Sequence, residues 1–185
     1  MKKNVCVLVA DGSEEMEVVI CVDVLRRAGI GVFLAGVGEE TRMVTTSRGV
    51  RIAPDGAWDP AEASRFDALV IPGGIGGTDI MRRDESVKQA VREFLAEGRM
   101  VAALCAGPTV LLDAGVLEGR TYTSHPSSRE ELTAGTWVDQ PVVRDGHLVT
   151  SQAPGTAFAF ALALVEILDS TETAGRIADG MRLRR

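Results

Sequence analysis

Residues 100–109 read MVAALCAGPT, an apolar run from Met100 to Leu104 that stops at Cys105-Ala106-Gly107 and gives way to a helical segment from about Pro108 to Ala114. A short apolar run bounded by small residues and followed by a helix reads as a buried strand. The same alternation extends outward in both directions. Val5 to Ala10 predicts a first strand and Glu14 to Ala28 a helix, with Ser13 as its N-cap, acids in its first turn, Arg26 and Arg27 in its last, and Gly29 just beyond. Gly31 to Val37 predicts a strand, and Met43 to Ala53 one or two short ones around Ser47-Arg48-Gly49. Asp67 to Ile71 predicts a strand that enters Pro72-Gly73-Gly74-Ile75-Gly76-Gly77, with a helix over Asp79 to Glu97. Pro141 to Ser151 predicts a hairpin turned at Asp145-Gly146, followed by helices over Pro154 to Asp169 and Glu172 to Asp179. Strands alternating with helices imply a parallel sheet covered on both faces.

Residues 1–185 are expected to form one domain, because 45% apolar and 25% charged composition at this length suits a single core, and no repeat or linker interrupts it. A net charge of -6 leaves no nucleic-acid footprint; the only basic run is the tail Arg182, Arg184, Arg185. No membrane partner is expected, since the nearest candidate span, Ala153 to Leu168, is interrupted by Glu166. Met1-Lys2-Lys3 before Val5 to Ala10 superficially resembles a secretory leader, but the run is short and Asp11, Glu14, Glu15 and Glu17 follow at once. A cytoplasmic location is the resulting expectation. Three cysteines, Cys6, Cys21 and Cys105, and two histidines, His125 and His147, match neither a disulfide framework nor a metal site, so no metal or cofactor is expected. The glycine-rich turn at residues 72–77 lacks both the P-loop ending and the dinucleotide spacing.

Loops beyond the carboxyl ends of parallel strands carry function, and three here hold suggestive residues: Ala10 to Glu17, Pro72 to Gly77 and Leu104 to Pro108. Ala103-Leu104-Cys105-Ala106-Gly107 has the small-x-nucleophile-x-small form of a nucleophile elbow. A cysteine in such a turn lies at the start of the next helix, whose dipole and free amides favour thiolate. The Ala106 amide, with one from the Gly73-Gly74 pair, is placed to form an oxyanion site. The competing reading is that Cys105 is a small buried apolar residue. His147, beside the turn at Asp145-Gly146, reads as surface, and Cys6 and Cys21 as buried.

Glu14-Glu15-Met16-Glu17, residues 22–30, Pro72-Gly73-Gly74, Cys105-Ala106-Gly107-Pro108-Thr109, His125-Pro126 and Pro154-Gly155-Thr156 occur together and in order. In these segments, and from Val5 to Leu168 overall, the chain closely resembles the ThiJ/PfpI superfamily in its DJ-one/YajL-like branch. The resemblance implies a flavodoxin-like three-layer α/β/α sandwich with a mostly parallel sheet, usually a homodimer, and a cysteine in a strained backbone conformation. It implies that Glu17 lies protonated beside Cys105 and donates to the thiolate or to a sulfinate. Two adjacent anions do not both ionise cheaply, which is consistent with that arrangement. It places His125 near the cysteine, as a base or as a stabiliser of the thiolate. Thr46 and Ala53 stand where the animal member has two further cysteines, and Gln152 where it has an arginine.

Three functions compete on this basis. One is a cofactor-independent glyoxalase or deglycase acting on methylglyoxal, other 2-oxoaldehydes or their early adducts, with Cys105 as nucleophile and Glu17 as proton carrier. Another is a redox-responsive protein or holdase chaperone in which Cys105 is oxidised without turnover. Peptidase or amidotransferase chemistry is disfavoured, because no acid is evident beside His125 to orient its ring.

Overall fold

A computed structural model describes residues 3–38 and 43–183. Arg184 and Arg185 of the basic tail, like Met1 and Lys2, lie outside the described residues. In chain order the elements are β1 (Asn4–Val9), α1 (Glu15–Arg27), β2 (Gly31–Gly36), β3 (Val44–Thr45), β4 (Arg51–Ile52), β5 (Gly56–Ala57), β6 (Ala68–Ile71), α2 (Ile75–Arg83), α3 (Glu85–Ala96), β7 (Met100–Leu104), α4 (Pro108–Asp113), β8 (Thr121–Tyr122), β9 (Thr136–Trp137), β10 (Val142–Asp145), β11 (Leu148–Ser151), α5 (Ala157–Leu168) and α6 (Thr171–Gly180).

Seven strands form the main sheet in the order β10-β11-β7-β6-β1-β2-β5. All its neighbours are parallel except the β10–β11 hairpin. Both faces are buried, and successive residues serve opposite cores. Val5, Val7 and Val9 of β1 pack with Leu104, Phe160 and Leu164 on the α1/α5 side. Cys6, Leu8 and Ala10 pack with Phe94, Val101 and Leu111 on the α3/α4 side. This is the expected three-layer α/β/α sandwich with a mostly parallel sheet.

The order places β1 between β6 and β2, so successive connections leave it in opposite directions and open a crevice beyond its carboxyl end. The loops after β1, β6 and β7 converge there. The Glu14 amide donates to Gly73 O at 2.9 Å, joining the first two. Gly74 has φ +89°, and a Cβ there would run into Gly12 O and the Glu14 amide, so the loops touch backbone to backbone.

Several local expectations need correction. Ser13 does not cap α1; its Oγ accepts from the Ala10 amide at 3.0 Å, while the Glu14 carboxylate accepts from Glu17 N at 2.8 Å. The helix expected from Asp79 to Glu97 begins earlier, at Ile75, and is two helices. Asp84 divides them because its carboxylate accepts from the Ser86 and Val87 amides, a capping role that competes with helix continuation. The last long helix opens with a tighter turn over Pro154–Thr156 before α5 begins.

Phe94 is fully buried against the sheet on the face that does not hold α1. Phe94→Ala is expected to lower stability by about 3–5 kcal/mol in urea denaturation while leaving the alkylation rate of Cys105 in the folded protein unchanged. A slowed rate would show that this face of the core also supports the elbow.

Candidate functional site

Cys105 follows β7 directly and has φ +62°, a left-handed conformation that a side chain with a Cβ rarely takes. Such a residue costs about 1–3 kcal/mol and persists only where its surroundings hold it. Here they do. Its N–H donates to Ser151 O of β11 at 3.0 Å, and its carbonyl accepts from the His125 amide at 2.9 Å. The turn closes when Gly107 N donates to Leu104 O at 2.8 Å. Cys105 is half-buried, whereas Cys6 and Cys21 are fully enclosed, as expected of them. His147 is exposed, also as expected.

Glu17, in the first turns of α1, is completely buried. Its Oε2 accepts from the Gly73 amide at 2.7 Å, and Oε1 has no partner with hydrogen-bond geometry. Gly73 stands so close that a Cβ would lie 2.6 Å from Cys105 Cβ and 2.8 Å from Glu17 Oε2. Of the Gly73-Gly74 pair, one of whose amides is expected at the oxyanion site, Gly73 is therefore committed to the carboxyl. The Gly74 and Ala106 amides instead face the cysteine sulfur.

Burial raises the Glu17 carboxyl to about 7, opposed by the Gly73 amide and the neighbouring Cys105 thiol and assisted by the Glu14 charge. Burial likewise pushes the Cys105 thiol up to about 12, with the neighbouring Glu17 carboxylate adding and the Ala106 and Gly74 amides opposing. The helix expected to favour thiolate by its dipole is only six residues long, and burial outweighs it. The two groups titrate together, losing one proton near 7 and the second near 12, so across neutrality they share at most one negative charge.

His125 lines the same cleft as Cys105. Its ring partner is Ser127, not a carboxylate: Nδ1 accepts from the Ser127 amide at 3.2 Å and lies 2.7 Å from Ser127 Oγ. Trp137 Nε1 donates to Ser124 Oγ at 3.1 Å, and that hydroxyl donates to His125 O at 3.1 Å. The cleft holds about 620 Å³ and also meets Arg48, Ile75 and Arg82. Arg82 is neutralised by Asp113 at 2.7 Å and Glu131 at 2.6 Å. A separate cavity of about 340 Å³ between Phe33, Trp58 and Phe66 is lined by no cysteine, serine, threonine or histidine. Among the described residues no group of three or more His, Cys, Asp or Glu is placed to hold a metal ion. Sequence reasoning missed Ser127 and Trp137, whose partners are set by tertiary packing.

Residues 3–167 match the DJ-1/PfpI family. Protein dj-1beta of Drosophila melanogaster is 43% identical over 98% of this chain and 97% of its own. Its crystal structure superposes with a TM-score of 0.95 at 42% identity, covering 100% of both chains. Parkinson disease protein 7 homolog of Danio rerio is 40% identical over 95% of this chain and 94% of its own. A Caenorhabditis elegans protein named glutathione-independent glyoxalase DJR-1.2 is 36% identical over 92% of this chain and 91% of its own. The chain belongs to the DJ-1/PfpI family.

Two outcomes follow from this geometry. Iodoacetamide at neutral pH is expected to label Cys105 in the native protein and to spare Cys6 and Cys21, read by peptide mass; equal labelling of either would contradict the burial of those two thiols. Glu17 has an ordinary value of 4.5 and a folded value near 7, so between these the folded state holds more protons and stability falls as pH rises. Well above 7 the deficit is complete, roughly 3–4 kcal/mol. Glu17→Gln removes it. Its stability relative to the parent is expected to be greater at pH 8 than at pH 4.5 in denaturant titrations, and a pH-independent difference would exclude the raised carboxyl.

Proposed function

We propose that this chain is a cysteine-dependent glyoxalase that converts methylglyoxal and other 2-oxoaldehydes, free or as early adducts on amines and thiols, into hydroxy acids without glutathione or metal. The observation that carries this reading is that Cys105 and the Gly74 and Ala106 amides stand at one wall of an open cleft, with the Glu17 carboxyl buried beside the sulfur. A carbonyl reaction of this kind needs a nucleophile, an oxyanion site and a proton carrier together. The glyoxalase name of the C. elegans relative supports the same class.

In this scheme the Cys105 thiol passes its proton to the Glu17 carboxylate as the sulfur adds to the aldehyde carbon, and the new oxyanion is held by the Ala106 and Gly74 amides. Glu17 gives its proton to that oxygen and becomes a carboxylate. It then takes the C1 proton of the hemithioacetal and returns it to C2, while the proton on the C1 oxygen passes to the C2 oxygen. The product is a thioester of the hydroxy acid, which water cleaves to release the acid and restore the thiol. The internal oxidation of C1 is balanced by reduction of C2, so no external oxidant enters.

The chain works in the cytoplasm, on this reading, as a homodimer. Met16 and Val19 of α1 and Val50 beyond β3 are each about half exposed, at 53%, 51% and 50%, and supply apolar surface for a second copy. A redox-sensing or holdase role is the second reading. It is favoured by the half-exposed Cys105 and by the unpartnered Glu17 Oε1, which is available to hold an oxidised sulfur.

Turnover separates the two. With methylglyoxal alone the protein is expected to produce lactate, followed by chirally resolved detection rather than by loss of adduct absorbance. Cys105→Ser is expected to abolish it and Glu17→Ala to lower it by ~10²–10⁴-fold. Lactate formation no faster than in buffer, or an unimpaired Cys105→Ser, would remove the enzyme and leave the sensor.

A further inference from the structure

We infer that His125 serves the cleft as a neutral hydrogen-bond donor through Nε2–H, and not as the general base of a triad. A backbone N–H has only one polarity. The Ser127 amide donates to Nδ1 at 3.2 Å, so Nδ1 presents its lone pair there. The Ser127 hydroxyl, 2.7 Å from the same nitrogen, has an acceptor to donate to.

The chain cannot easily turn this contact around. Ser127 lies in the tight turn Pro126–Ser128, entered through Pro126, and the His125 amide is itself tied to Cys105 O at 2.9 Å. A neutral imidazole whose Nδ1 accepts must carry its proton on Nε2. A triad base has the reverse arrangement, with Nδ1–H held by a carboxylate and a lone pair on Nε2 facing the nucleophile. In this protein Ser127 occupies the orienting position with the opposite polarity.

With Nδ1 taken by Ser127, Nε2 is the free polar atom of a ring that lines the cleft beside Cys105. On the glyoxalase reading, the Ala106 and Gly74 amides hold the oxygen on C1. The Nε2–H is then the donor for the oxygen on C2, where negative charge develops as Glu17 moves the proton between the two carbons. His125 thus selects substrates with a carbonyl on each of two adjacent carbons over simple aldehydes, which have no second oxygen to accept.

Nitrogen-15 NMR on the full-length protein tests the tautomer without reference to turnover. Long-range proton–nitrogen correlations, recorded above the imidazole titration with His147→Gln for assignment, are expected to show His125 as the Nε2–H form. Ser127→Ala keeps the amide and is expected to keep that form. An Nδ1–H form, or a tautomer average in the parent or in Ser127→Ala, would overturn the proposal. If the parent makes no lactate, the glyoxalase reading fails while this spectrum still decides the tautomer. Where lactate forms, His125→Ala is expected to lose about 10-fold in kcat/KM on methylglyoxal. His125→Gln, whose amide nitrogen donates from a similar place, is expected to recover most of that loss without moving the pH profile. Equal losses in both variants, with the ascending limb of the profile displaced, would make His125 a base and overturn the donor role.

Discussion

The hydrogen bond from the Gly73 amide to Glu17 Oε2, 2.7 Å long and shut away from water, ties the loop after β6 to the helix that follows β1. A buried carboxyl is costly, and this one is kept because it faces an amide on one side and a thiol on the other. The constraint spreads from there. Gly73 has no room for a side chain because Cys105 and Glu17 press on it from two directions. The Gly74 amide is left free for the sulfur, and the whole group sits where the strand order reverses. Three segments remote in sequence are thereby held to one reactive centre.

The alternation of buried strands and amphipathic helices could be read directly from the chain because a parallel sheet enclosed on both faces demands continuous apolar runs. β1, β6 and β7 are such runs. The start of α2 could not be read that way, since Ile75-Gly76-Gly77 has poor helix propensity and becomes helical only because the loop packs against Gly12 and Ser13. The two-residue strands β5, β8 and β9 were equally hidden, their pairing being imposed by neighbours rather than by local pattern.

At the site the same division holds. The elbow around Cys105 is a local motif, and its small flanking residues announce it. Glu17 is one of three acids in a short stretch, Glu14, Glu15 and Glu17, and nothing in the local pattern separates it from the others. Their fates differ: Glu14 caps α1, Glu15 accepts from Ser47 and Arg48, and Glu17 turns inward to the cysteine. Only the family resemblance singled it out. The polarity of the His125–Ser127 contact depends on a three-residue turn that composition does not reveal.

The path from Trp137 through Ser124 to His125 also gives the molecule an optical asymmetry. The chain has two tryptophans. Trp58 is anchored to Ser86 and follows the edge strand β5, on the other side of β1 from the elbow that ends β7. Trp137, under the Arg129 guanidinium, hangs on the backbone that carries His125. An occupant of the cleft that displaces His125 therefore perturbs one indole and leaves the other as an internal standard, so intrinsic fluorescence reports on this site in the unlabelled protein.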